Sequence, residues 1–210
     1  MLAIKPLYPE PTDTGAARVK ALAPQTMIQI VRRREAALQW TIPSMAKKEH
    51  VTETPATALL RTNQVPFSEH PYEYQEHGGA QHSAEVLGQD PFTVVKTLVM
   101  QDQDAKPLLV LMHGNRKVST KNLARQIGAK AVAPCAPEVA NRHSGYLVGG
   151  TSPFATRRVM PVYIEASILE LPRILINGGR RGYLVGIDPQ VCVQLLGAKP
   201  VSCALADAGV

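Results

Sequence analysis

The apolar positions of this 210-residue chain change period along its length, and those changes mark out the elements. "TVVKTLVMQ" (93–101) alternates and is β-branched, so it predicts a strand. "PLLVLMHG" (107–114) is a continuous apolar run, the mark of a strand covered on both faces. The pieces "YLV" (146–148), "PVYIEA" (161–166), "RILIN" (173–177) and "YLVGI" (183–187) predict further strands. Helical signals fall between them. Thr54-Pro55 is a cap followed by a first-turn proline, and "ATALLRTNQ" continues it. Ser83 is placed to cap "AEVLG", which Gly88 closes. Ser119 or Thr120 caps "KNLARQIG", with Leu123 and Ile127 on one face. Pro137 opens "PEVANRH", and Asp188-Pro189 opens "QVCVQLLG", which Gly197 stops.

Strands and helices are mixed without a regular strand–helix alternation, and no sequence repeat occurs. No glycine fingerprint follows the first strand, which disfavours a dinucleotide-binding fold. The expectation is an α+β (mixed α/β) domain over residues 45–210, with a curved, partly barrel-like mixed sheet surrounded by helices. Residues 1–44 differ: they hold Pro6, Pro9, Pro11 and Pro24 and then the basic segment "VRRREAALQW". We read them as a weakly ordered extension from an upstream start, with Met45 opening the domain. The rival reading is an arm docking RNA through Arg32, Arg33 and Arg34.

Charge narrows the picture only slightly. The net charge is +6, but the first 44 residues hold six basic and three acidic groups, so half of the excess lies there. The remaining body is mildly basic, which permits contact with an RNA end without requiring it. The three cysteines, Cys135, Cys192 and Cys203, are widely spaced and form no CxxC, so reduced thiols are expected rather than disulfides or a zinc site. No apolar run is long enough to span a bilayer and no signal peptide is evident. A soluble, cytoplasmic protein without membrane or DNA partners is the expectation.

Four features carry candidate chemistry. Lys96 interrupts an apolar strand, so it either blocks an exposed edge or serves a pocket. In "GYLVGGTSPF" (145–154), Gly149 and Gly150 admit backbone conformations closed to other residues, while Thr151 and Ser152 add hydroxyls. Successive amides there can form an anion-binding concavity; the plainer reading is a turn ending the "YLV" strand. "INGGRRGYLVG" (176–186) repeats the device with Asn177, Gly182 and two arginines, or is a glycine-rich hairpin whose Arg180 and Arg181 are solvated. Lys117, Lys121 and Arg125 are spaced by four and share a helix face if the helix reaches that far, with Arg157 and Arg158 as additions. They suit phosphate contact, or form a solvated face. The six histidines are scattered with no HExxH spacing, and there is no GxSxG, so neither a metal nor a protein nucleophile is advertised.

Taken in order, these motifs resemble a family. "TPATALLRTNQVPF", Tyr72 in "HPYEY", "VVKTLVM" with Lys96, "GYLVGGTSPF", "NGGRRGYLVGI" and "LGAKPV" are similar to successive segments of the YbaK/ProX-type aminoacyl-tRNA deacylases, most closely the bacterial cysteinyl-tRNA(Pro) branch. The resemblance runs from about Thr54 to Ala204 and leaves residues 1–44 without a counterpart. It implies trans-editing of tRNA(Pro) mischarged with cysteine, possible cooperation with prolyl-tRNA synthetase, and no cofactor or metal. A proline-sized pocket discriminates small side chains by only about 1–3 kcal/mol, which is why a second check is needed. The resemblance further implies that the substrate's own thiol attacks the ester carbonyl. Backbone N–H groups of Gly149 and Gly150 would meet the carbonyl oxygen, and Thr151 and Ser152 would line that loop. Lys96 would hold the terminal adenosine phosphate or ester end, Tyr72 would wall the pocket, and Gly182 would allow close approach. Asn177 stands where members often have serine, and Leu184 where some have an acid, which leaves the substrate amine without that partner. The alternatives are an alanyl-tRNA(Pro) deacylase using a bound water, and a non-catalytic module binding tRNA ends or a synthetase.

Overall fold

Lys96 does not lie on an edge: its strand is in the interior of the sheet. In a computed structural model, which describes residues 53–205, this strand is β2 (Val94–Asp102). The extension assigned to residues 1–44 lies outside the described residues. β1 (Ser68–Pro71) precedes β2, and β3 (Pro107–His113) follows it, pairing antiparallel along nearly its whole length from Val95↔His113 to Gln101↔Pro107. All seven residues of β3 are buried, as the unbroken apolar run predicts. β3 pairs parallel with β6 (Val162–Glu165), and β6 with β9 (Lys199–Val201). On the other side of β2 lie β7 (Ile174–Arg180), β8 (Tyr183–Ile187) and then β1, giving the order β1-β8-β7-β2-β3-β6-β9. The sheet is mixed, and among the described residues no pairing joins β9 back to β1.

β5 (Val132–Pro134) borders the same edge of β2 as β7 does. The pairing with β7 ends at Val95 and the pairing with β5 begins at Met100. Between them the edge of β2 is open.

Five α-helices accompany the sheet among the described residues. α1 (Pro55–Thr62) begins with a capping box in which Thr57 N–H donates to Thr54 Oγ1 at 3.1 Å and Thr54 N–H donates to Thr57 Oγ1 at 2.9 Å. α2 (Gly79–Val86) starts four residues earlier than its expected Ser83 cap. Ser83 is mid-helix, where its hydroxyl donates to the Ala80 carbonyl at 3.0 Å, so the helix itself satisfies it. α3 (Thr120–Ile127) has the expected Ser119 cap and a left-handed Gly128 stop. It does not reach Lys117, which belongs to the two-residue strand β4 (Lys117–Val118), paired with β10 (Ala204–Leu205). α4 (Pro137–Ser144) ends at left-handed Gly145, and α5 (Gln190–Leu196) is opened by Asp188, whose Oδ1 accepts from Gln190 N–H at 2.8 Å.

"YLV" is not a strand. α4 stops at Gly145, Tyr146 turns inward to donate its hydroxyl to the Phe154 carbonyl at 2.7 Å, and Leu147 and Val148 are exposed. With Tyr146 turned inward and the next two side chains exposed, the segment lies alongside no strand of the sheet. The glycines therefore shape a turn instead of ending a strand.

The face of β2 carrying Val94, Lys96, Leu98 and Met100 spans two packed groups. Val94 joins Ala84, Leu175 and Leu184 under α2. Met100 joins Leu108, Val110, Met112 and the α3 residues Leu123 and Ala124. Lys96 is the residue between them. Among the described residues, no helix is long and apolar enough to cross a membrane.

Candidate active site

Over the open edge of β2 lies a cavity of about 640 Å³. β2 contributes Val94 to Met100 to its lining, and Lys96 and Lys117 both line it. Lys96 is half-buried, and its Nζ donates to the Gly114 carbonyl at 3.2 Å. Burial first, then the charge of Lys117, holds its pKa below the usual lysine value. Among the described residues neither lysine makes an ion pair. Two cations brought together and one partly stripped of water form a wall that favours an anion.

The turn 147–150 also contributes to the lining, through Val148 and Gly149. Gly150 N–H donates to the Leu147 carbonyl at 2.8 Å, and Gly149, third in the turn, has φ +88°. This is a type II turn, which needs glycine at that position. Three side chains hold it. Asn141 Oδ1 accepts from Val148 N–H at 2.9 Å, Asn177 Nδ2 donates to the Gly149 carbonyl at 3.2 Å, and Arg181 Nε donates to the Val148 carbonyl at 3.0 Å. Asn177 is itself oriented by Gly179 N–H, which donates to its Oδ1 at 2.8 Å. The Arg181 guanidinium lies 5.1 Å over the Tyr74 ring. A Cβ on Gly149 would sit 2.9 Å from Tyr74 Oη, and one on Gly150 would sit 2.7 Å from the Arg181 backbone nitrogen. The two residues are therefore not equivalent: the Gly150 amide is engaged within the turn, whereas Gly149 N–H meets no acceptor among the described residues.

The remaining candidates separate cleanly. Tyr72, Thr151, Asn177 and Leu184 line the cavity with Lys96, Lys117 and Gly149. Tyr72 is held by its N–H donating to the Gly182 carbonyl at 2.9 Å; Gly182 has φ +72° and acts behind Tyr72, outside the cavity. Burial raises the Tyr72 pKa, so its hydroxyl stays protonated. Ser152 is fully buried, and its Oγ accepts from Phe154 N–H at 3.3 Å, away from the lining. Lys121, Arg125, Arg157 and Arg158 do not line the cavity either. Arg157 and Arg158 are tied by their backbone amides to the Ser144 and His143 carbonyls at the end of α4.

Sequence reasoning missed Tyr74, Arg181 and Cys135 as lining residues. Tyr74 shares the alternation of Tyr72 in "YEY", a signal that was available; nothing local distinguishes Arg181 from Arg180. The Cys135 thiol is pushed up in pKa by burial and lies 3.6 Å from Gln101 Oε1, so it is a poor nucleophile. His113 is buried, stacked 3.7 Å from the Phe92 ring and bonded to the Phe92 carbonyl and Ser167, a packing role. Among the described residues no group of three or more His, Cys, Asp or Glu side chains is arranged to hold a metal.

The chain belongs to the aminoacyl-tRNA editing domain family, whose model matches residues 77–195 and so takes in β2, the turn and the β7–β8 hairpin. Among its relatives is the candidate Cys-tRNA(Pro)/Cys-tRNA(Cys) deacylase EbsC of Enterococcus faecalis, 28% identical over 152 residues that cover 72% of this chain and 93% of that protein. Two solved structures share the fold. One is of a candidate trans-editing enzyme for prolyl tRNA synthetase, with TM-score 0.63, 21% identity, and coverage of 72% of this chain and 96% of that one. The other is of the hypothetical protein APE2540, with TM-score 0.67, 18% identity, and coverage of 72% and 100%.

Proposed function

We propose that this aminoacyl-tRNA deacylase acts in trans on cysteinyl-tRNA(Pro). The carrying observation is a single cavity lined both by two lysines and by Gly149, whose N–H meets no acceptor among the described residues. A tRNA 3′ end presents a group for each, a phosphate and an ester carbonyl. Lys96 and Lys117 hold the phosphate of the terminal adenosine. Gly149 N–H donates to the ester oxygen as it gains charge, which is where a pre-set donor lowers the barrier most. The attacking group is the substrate's thiol. Its sulfur bonds to the carbonyl carbon, the ester C–O bond breaks, and the thiol proton ends on the ribose hydroxyl; the cyclic thioester then hydrolyses in water. The protein contributes position and charge, consistent with the protonated, poorly nucleophilic Cys135.

One observation favours a second substrate. Leu184, 4% exposed at the cavity wall, suits a methyl group as well as a thiol, so alanyl-tRNA(Pro) with a bound water is the rival reading. A deacylation panel separates them: tRNA(Pro) charged with cysteine, alanine, serine or proline. Release of cysteine with alanine retained supports thiol assistance. Rapid release of alanine with cysteine untouched overturns it. Because the body is only mildly basic, the choice of tRNA is delegated to prolyl-tRNA synthetase. Co-purification of the two proteins tests this, and tRNA(Pro)-selective turnover by the isolated protein would refute it.

A further inference from the structure

Peptide planarity makes the Gly149 N–H one half of a rigid unit. The Val148 carbonyl and the Gly149 N–H belong to the same trans peptide and point in opposite directions. This is the central peptide of the turn, the one whose flip converts type II into type I. Whatever holds the Val148 carbonyl therefore aims the Gly149 N–H. In this structure the holder is Arg181, whose Nε donates to the Val148 carbonyl at 3.0 Å while its guanidinium rests 5.1 Å over Tyr74. The neighbouring peptide is fixed independently: its carbonyl, on Gly149, accepts from Asn177, and its N–H, on Gly150, donates to Leu147. That leaves the central peptide as the one that can flip, and Arg181 as the side chain bonded to its carbonyl.

We infer that Arg181 is a positioning residue that locks the central peptide of the 147–150 turn so that Gly149 N–H faces the reacting ester. The inference rests on the proposed role of Gly149 as donor to the ester oxygen. Arg181 itself is exposed and needs no contact with the reacting atoms. Its second hold, on Tyr74, explains why a single charged side chain at the surface can keep one geometry: the stacked ring restricts the guanidinium that the hydrogen bond then orients.

The test uses the full chain with Arg181→Ala and Arg181→Lys, read in two ways. In steady-state deacylation of cysteinyl-tRNA(Pro), Arg181→Ala is expected to lower kcat by about 10- to 100-fold with KM within about 2-fold, since only transition-state stabilisation is lost. Arg181→Lys, which can reach the carbonyl but does not present a planar group to Tyr74, should fall between, and free guanidinium ions should restore part of the Arg181→Ala activity. An unchanged kcat, or a loss carried by KM alone, would overturn the inference. The second readout is independent of activity: the ¹⁵N–¹H signal of Gly149 in the free protein. It should shift or broaden in Arg181→Ala while signals of β3 stay in place; an unmoved Gly149 signal overturns the inference. If the wild-type protein hydrolyses no aminoacyl-tRNA, the functional reading fails, and the Gly149 signal still decides whether Arg181 sets that peptide.

Discussion

Replacing Gly149 by alanine should hurt turnover far more than replacing Ser152 by alanine, although Ser152 is the side chain with chemistry to lose. Gly149 has φ +88°, and an L-residue held in such a conformation costs about 1–2 kcal/mol. Its Cβ would lie 2.9 Å from Tyr74 Oη and 3.3 Å from Tyr74 Cε2, so the ring must move, and with it the face on which Arg181 rests. With roughly another 1 kcal/mol for that displacement, the loss is about 2–3 kcal/mol, or about 5–10 °C in Tm for a domain of this size. If the turn relieves the strain by flipping its central peptide, the amide leaves the ester. Loss of one such donor lowers kcat by about 10²–10³. Ser152→Ala removes only the 3.3 Å acceptor of the buried Phe154 N–H, about 1–3 kcal/mol of stability, and should leave kcat within about 2-fold. The assay is deacylation of cysteinyl-tRNA(Pro) at 25 °C beside thermal melts of both variants. The reverse ranking in kcat, with both proteins folded, would refute the backbone-donor account.

Lys96→Met should abolish deacylation while raising stability, because it removes a partly desolvated charge. Lys96 has a lowered folded-state pKa, so the unfolded chain binds the proton more tightly and the wild-type protein gains stability as pH rises toward 10.5. The advantage of Lys96→Met should therefore be largest near neutral pH and shrink in melts at pH 10; an advantage that grows with pH would contradict it. Cys135→Ser should keep kcat within about 2-fold, and a collapse of activity would point to a protein nucleophile. Asn177→Ala, which removes the bonds to the Gly149 carbonyl and Gly179 N–H, should cost about 1–3 kcal/mol in denaturant melts and reduce kcat; a variant indistinguishable from wild type would refute its bracing role.

Local signals sufficed where backbone chemistry is self-contained. Thr54-Pro55, Ser119 and Asp188 each mark a helix start because a nearby side-chain oxygen satisfies an otherwise orphaned amide. The long strands β2 and β3 announced themselves by pattern, whereas β1, β4, β5, β9 and β10, of two to four residues, have too little sequence to carry a period. "YLV" misled because its apolar composition matches a strand, while its conformation follows from Gly145 and from the inward Tyr146 hydroxyl. At the site, Lys96 was legible as an anomaly, but the choice between edge and pocket needed the strand order. Gly149 and Gly150 were legible as a pair, but their inequivalence arises from one hydrogen bond to Leu147. Arg181 was illegible, because its meaning lies in contacts with Val148 and Tyr74, 33 residues back for the former.

The open edge of β2 also bears on exchange with solvent. Thr93 and Val99 both offer their carbonyls to the β7 and β5 side, to Leu175 and Cys135. Strand alternation aims Thr97 the same way, into the interval that neither neighbour pairs. Thr97 N–H should thus exchange with deuterium quickly, in the middle of the strand whose flanking amides exchange slowest. A molecule seated in the cavity would slow that one amide, giving a reporter of occupancy that requires no turnover. Slow exchange at Thr97 in the free protein would show that the interval closes in solution.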